Sequence, residues 1–268
     1  MPGRALARYV VSFAALLAVA GVAHAQAREE ARLMLATQVL EELRAQRDQF
    51  IPDRLLERAH GIAVFPDVNK GAFFVGGRYG QGALVVRDKN GRFSSPVFVR
   101  LAGGSVGWQW GVQQTDIVLV FTTKKGIERI TEGKMTLGAD ASVAAGPVGR
   151  QASAATDATF KAEVYSYSRS RGLFAGIALD GSALTIDRKS NASFYRTKGV
   201  SAEQIIDGAV RSDAPTVDRF LAAITTSTAR DARASTAGTA APAPAPAPAS
   251  DVKTFPMEDA QPGAEPPR

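Results

Sequence analysis

The chain contains no cysteine. That excludes disulfides, thiol nucleophiles and thiolate metal ligands, and it leaves no residue to carry the lipid of a bacterial lipoprotein. Histidine is almost as scarce. Of the two, His24 lies in the N-terminal apolar stretch and His60 stands alone in the rest of the chain. One histidine makes neither a zinc triad nor a catalytic pair. His60 lies at the end of a short predicted helix, where a C-terminal carbonyl would hold it in a structural role. The aspartates Asp116, Asp140, Asp157 and Asp180 are scattered, with no spacing that pairs two carboxylates. "DVNKG" (67–71) and "DKNG" (88–91) lack the remaining ligands of a calcium loop and read as turns. These absences argue against an enzyme, and no cofactor or metal is expected.

A membrane-spanning run is also missing. The longest apolar stretch, "YVVSFAALLAVAGV" (9–22), is shorter than the ~20 residues a bilayer requires. It follows Arg4 and Arg8 and precedes "AHA" (23–25), which together read as a secretory signal cleaved after Ala25. The expectation is export, to the periplasm in a Gram-negative cell, without a lipid anchor. The sequence carries a formal net charge of +6. Removing residues 1–25 leaves 30 Lys and Arg against 26 Asp and Glu, a net +4. That excess permits attraction to anionic surfaces without demanding it. Export makes nucleic acid an unexpected partner.

Periodicity divides the remainder. Over 26–50, Leu33, Leu35, Ala36, Val39, Leu40 and Leu43 fall on one side of a helix, with Glu30, Glu41, Glu42 and Asp48 on or towards the other. A short helix is predicted over 53–61, then strands from Ile62 to about Ile186, with an Asn-Gly hairpin signal at "DKNG". "KKGIERITEG" (124–133) reads as a short helix or an irregular connection. Helices return at "SAEQII", which opens with a Ser201–Gln204 capping box, and at "DAPTVDRFLAAI" (213–224). From residue 229 the composition collapses to Ala, Thr, Ser and Pro, and "APAPAPAPA" predicts a polyproline II tail. The expected organisation is a signal (1–25), one α+β domain (26–228) and a disordered tail (229–268). The domain is expected to be a glycine-rich, curved antiparallel sheet, barrel-like, with N- and C-terminal helices packed on it.

"FFVGGRYGQGALVV" (73–86) tests the nucleotide alternative. Gly76, Gly77, Gly80 and Gly82 stand in the wrong order for a dinucleotide fingerprint, no Gly-Lys-Ser/Thr follows, and a strand rather than a helix comes next. Glycines inside strands mark bends and close approach. Gly80 and Gly82 would share one strand face, leaving room for a neighbour to pack closely.

Two surfaces offer ligand chemistry. In "YSYSRSR", Tyr165, Tyr167, Arg169 and Arg171 would line one strand face, a combination suited to phosphate headgroups. The plainer reading is an exposed sheet face with cross-strand pairs. Lys124, Lys125 and Arg129 form a second basic cluster. The 26–50 stripe suits either a membrane interface or packing on the domain, and its acidic side favours packing.

Taken together, "IPDRLLERAHGIAVFPDVNKGAFFVGGRYGQGALVVRDKNGRFSSPVFVRLAGGSVGWQWGVQQTDIVLVF", "KMTLGADASVAAGPVGRQA" and "YSYSRSRGLFAGIALDGSAL" resemble the SYLF domain family over about residues 30–225. The resemblance implies a lipid-binding module. Eukaryotic members are associated with phosphoinositides, membrane remodelling and actin, and bacterial members are exported envelope proteins. The family's membrane contact is attributed to an amphipathic N-terminal helix and basic residues. Here these correspond to Leu33, Leu40 and Leu43 with Arg32, Arg44 and Arg47. The functional expectation is therefore a non-enzymatic module binding a phospholipid headgroup at the cell envelope, peripherally membrane-associated. The alternative is a protein-interaction or structural module, its partners unspecified.

Overall fold

The computed structural model describes residues 26–45, 51–73, 75–105, 113–148, 161–170 and 173–228. The expected signal and tail lie outside them. A helix over residues 26–45 (α1) and a short one, Asp53–Glu57 (α2), precede four long strands. These are β1 (Gly61–Phe73), β2 (Val75–Val86), β3 (Val97–Ser105) and β4 (Gln113–Phe121). Helix α3 (Lys124–Thr131) leads to five short strands: β5 (Lys134–Thr136), β6 (Val143–Ala145), β7 (Val164–Ser170), β8 (Leu173–Gly176) and β9 (Ala183–Ile186). Three helices follow: α4 (Arg188–Phe194), α5 (Ala202–Ile206) and α6 (Pro215–Thr228). The Ser201–Gln204 capping box opens α5 as predicted.

All nine strands form one curled sheet, a half-barrel of order β5-β9-β3-β2-β1-β4-β7-β6, with β8 also on β7. The fold is α+β, as expected. The sheet is mixed rather than wholly antiparallel, because β6 runs parallel to β7.

Both faces of the sheet are covered, and register shows by what. Ile62, Val64, Ala83, Val85, Phe98, Val118, Val120, Tyr165 and Tyr167 alternate onto one face. The helices cover it. The Phe194 ring of α4 meets Phe98 edge-on at 5.0 Å, and α1 reaches the same ring with the Arg32 guanidinium. The opposite face carries Ala63, Phe65, Leu84, Val99, Leu101, Leu119, Phe121 and Leu184, and α3 packs there through Ile127 and Ile130. A sheet buried on both sides needs apolar residues at successive positions, which is why "VLVF" and "ALVV" show no alternation. Each fully buried Leu or Phe contributes about 1.5–3 kcal/mol.

A β-bulge shapes the centre. β1 does not end at Pro66; it continues to Phe73 after a register shift between Phe65 and Val68, with Asp67 at φ 52°. The Asp67 amide donates to Asp116 Oδ1 at 3.0 Å. The bulge throws Phe65 over Gly82 and Val68 over Gly80. A Cβ at Gly80 would stand 2.6 Å from Val68 Cγ2, and one at Gly82 would stand 2.7 Å from the Phe65 ring and run into the Val64 carbonyl oxygen. Close approach therefore explains both glycines.

Candidate anion-binding cleft

The expected Tyr/Arg face is not a free surface. Tyr167 is completely buried and Tyr165 is 4% exposed. The Tyr167 hydroxyl donates to the Pro147 carbonyl at 3.2 Å, and Gly146 lies so close to its ring that a Cβ there would overlap it. Burial pushes the Tyr167 phenol far above its ordinary pKa. The Tyr165 hydroxyl accepts from the Ala162 amide at 3.0 Å. Arg169 is held between Asp116, 2.7 Å from its Nε, and Glu42 of α1. Arg171 lies outside the described residues. Alternation in the sequence places Tyr165, Tyr167 and Arg169 on one face correctly, but that face is covered, Tyr167 by Gly146 and Pro147 and Arg169 by Glu42 of α1.

The stripe of α1 is buried as well. Leu33, Leu40 and Leu43 are 0–3% exposed, in the core with Ala36 and Val39. Packing on the domain thus accounts for the stripe, apart from Leu35, which at 42% exposed faces outward beside Met34. Arg32 is 8% exposed and sits in a polar junction: it pairs with Glu29, and its Nη2 donates to Gln81 Oε1 at 2.9 Å. Gln81 Nε2 donates in turn to Asp187 Oδ2 at 3.0 Å. Arg44 is exposed at the end of α1, and Arg47 lies outside the described residues.

The second basic cluster divides. Arg129 is half-buried and faces Glu163 at 3.8 Å, and Lys125 is exposed. Lys124 borders an open cleft of about 560 Å³ between the β2–β3 hairpin, the start of α3 and the α5–α6 connection. Five basic side chains line it, Arg87, Lys89, Arg92, Lys124 and Arg211, against the carboxylates of Asp88 and Asp207.

Each cation is positioned for a local reason. The Asp88 carboxylate folds the hairpin by accepting from the Asn90 and Arg92 amides, both at 2.8 Å, and Gly91 supplies the left-handed residue at φ 81°. These amide bonds hold Asp88 below the ordinary carboxylate pKa. Arg87 stacks on Phe93 at 4.7 Å and caps α2 by donating to the Glu57 carbonyl at 2.6 Å. Arg211 is steadied by the Gly208 carbonyl, 3.1 Å from its Nε. Helix α3 is N-capped by Thr123 but has two lysines and no acid in its first turn. The helix dipole disfavours cations there, and an anion in the cleft would relieve that repulsion.

His60 lies near the cleft but does not close a helix: α2 ends at Glu57, and the His60 amide donates to the Phe121 carbonyl at 2.7 Å. Burial, with Lys124 and Arg87 nearby, lowers its pKa and keeps it neutral near pH 7. Among the described residues no cluster of three His, Asp or Glu is arranged to hold a metal ion, and no helix is long and apolar enough to cross a membrane. Sequence reasoning found Lys124 but missed Arg87, Lys89, Arg92 and Arg211, which come together only in three dimensions.

Residues 102–227 match the profile of a family described as Ysc84, Las17-binding protein actin regulator. LAS seventeen-binding protein 3 of Saccharomyces cerevisiae is 40% identical over 174 residues, 64% of this chain and 37% of that protein. SH3 domain-containing YSC84-like protein 1 of Xenopus laevis is 35% identical over 164 residues, 61% of this chain and 49% of that protein. These matches place the chain with the Ysc84, or SYLF, family over residues 102–227. It spans between about a third and a half of the length of these curated relatives. In this Ysc84 domain the matched residues run from β3 through α6 and so include Lys124 and Arg211 of the cleft, whereas Arg87, Lys89 and Arg92 precede them.

Proposed function

We propose that this Ysc84 domain is a non-enzymatic binding module that takes the phosphate headgroup of an anionic phospholipid in the basic cleft. The observation that carries the reading is the convergence of five cations on an open cleft with two carboxylates, at a helix N-terminus that already bears an excess of positive charge. Arg211 and Arg87 bring forked donors, and Lys89 and Lys124 bring point charges. The signal-like N-terminus supports a place at the cell envelope, with the domain held peripherally on the membrane. The membrane-facing surface is then the cleft rim, and α1 stays docked.

Co-sedimentation with vesicles containing phosphatidylglycerol tests this. The Lys124→Glu, Arg211→Glu double variant is expected to lose at least tenfold in vesicle affinity, and raising salt from 50 to 300 mM is expected to weaken the wild type in the same direction. Binding that survives both changes would remove the cleft from the membrane contact.

A second reading rests on the family description, which names a protein, Las17, as the partner of other members. In it the same cleft receives an acidic protein segment. A stoichiometric partner captured equally well with and without vesicles, and lost in the double variant, would select that reading.

A further inference from the structure

On the sheet face opposite α1 lies a second pocket, of about 390 Å³, built around Arg78 of β2. Its walls divide by chemistry. Thr115, Ser168 and Ser170 bring hydroxyls from β4 and β7, and Val68, Ile117 and Ile177 supply an apolar side. Register puts them together: Val68 pairs with Thr115, and Ile117 with Ser168. No carboxylate lines the pocket among the described residues.

Arg78 is half-buried and poorly satisfied. Its Nη1 donates to the Ala178 carbonyl at 3.3 Å, and its Nε is buried with no partner. Its cross-strand neighbours are Lys70 on β1 and Gly103 on β3, neither of which is an acid. Burial lowers the pKa of the guanidinium, and among the described residues no carboxylate opposes it. A partly desolvated guanidinium without a counter-charge is costly to keep, and a buried donor left unpaired calls for a partner, be it water, an ion or a ligand. Arg100 and Arg169, also half-buried, each hold a carboxylate at 2.6–2.7 Å, and Arg87, whose Nε is likewise buried without a partner, has the Phe93 ring and the Leu56 and Glu57 carbonyls of α2 instead.

We infer that this pocket binds a single-chain anionic amphiphile. The carboxylate or phosphate end takes the free donors of Arg78 and the hydroxyls of Ser168 and Thr115, and the aliphatic chain lies along Val68, Ile117 and Ile177. The site is separate from the basic cleft: among the described residues it offers one lining cation and an apolar wall, where the cleft offers five cations and a polar rim.

Titration calorimetry of the purified protein with octyl phosphate, octanoate, octyltrimethylammonium and inorganic phosphate tests it. Octyl phosphate or octanoate is expected to bind, with inorganic phosphate at least tenfold weaker and the cationic amphiphile silent. Arg78→Met is expected to lose at least tenfold in affinity while its thermal midpoint stays at or above that of the wild type, because the change removes an unpaired charge. Arg78→Lys should recover part of the binding. Ser168→Leu, which fills the pocket and leaves the guanidinium in place, should lose it. The Lys124→Glu, Arg211→Glu variant should bind octyl phosphate as the wild type does, so the outcome is independent of the vesicle experiment. Binding of neither anion, equal binding of the cationic amphiphile or of inorganic phosphate, or unchanged binding in both Arg78→Met and Ser168→Leu would overturn the inference.

Discussion

Replacing Asp187 by alanine is expected to cost about 3 kcal/mol of folding stability, measured by urea unfolding. Asp187 is 1% exposed and caps α4, accepting from the Ser190 amide at 3.1 Å. It also accepts from the Ser190 hydroxyl at 2.9 Å, from Gln81 at 3.0 Å, and from Arg100 twice, at 2.8 and 2.6 Å. Alanine strands all of these donors at once and loosens the route through Gln81 to Arg32 of α1. The Arg100 side chain is 39% exposed and keeps part of its hydration, which holds the figure at the low end for a broken ion pair. The pH dependence has a definite sign. Burial opposes ionisation of Asp187, but the bonds from Arg100 and Ser190 outweigh it and leave the pKa below the ordinary carboxylate value. The stabilisation is therefore complete above that ordinary value and is lost as pH falls through the lower, folded one. The stability gap between wild type and Asp187→Asn should narrow in acid. A gap that stays constant down to pH 2 would contradict the network.

Gly82→Ala is expected to be as damaging, again by about 3 kcal/mol, at the upper end of ordinary overpacking. The new methyl would meet backbone, the Val64 carbonyl, as well as the Phe65 ring at 2.7 Å. Neither gives way easily: Val64 is tied into ladders with β2 and β4, and Phe65 is wholly buried. Gly77→Ala and Gly104→Ala are the controls. A Cβ at Gly104 meets nothing within 4 Å, and one at Gly77 only touches the Gly103 carbonyl at 4.0 Å. Both should stay within about 0.5 kcal/mol of wild type or gain slightly from the stiffer chain. Equal effects at positions 82 and 104 in denaturant unfolding would show that the bulge does not clamp the sheet as described.

What the sequence revealed was local. The stripe over Leu33–Leu43, the turn at Asp88–Gly91, the Ser201–Gln204 box and the close approach at Gly80 and Gly82 each depend on neighbours within a few residues, or on the absence of a side chain. Pro66 gives no sign of the strand that continues past it, because a bulge carries β1 through. Helix α4 was missed because its cap, Asp187, follows directly on β9 and reads as the end of a strand. The Tyr165–Arg169 face was placed correctly in alternation but taken as open, since a period of two says which residues share a face and nothing of what covers it. The cleft was the least legible feature, since Lys124 and Arg211 are 87 positions apart and meet Arg87 and Lys89 only when the sheet curls.

The docking of α1 also bears on when the domain acquires its structure. The first described helix rests on groups supplied from far along the chain: Arg32 on Ser190, 158 residues away, Glu42 on Arg169, and Gln26 on Arg196, 170 residues away. None of these seats exists until β7, β9 and α4 have been made. Closing such large loops costs entropy before any contact repays it, so α1 gains these contacts only after α4 has been made. An emerging chain therefore carries the apolar stripe of α1 without these partners through most of translation.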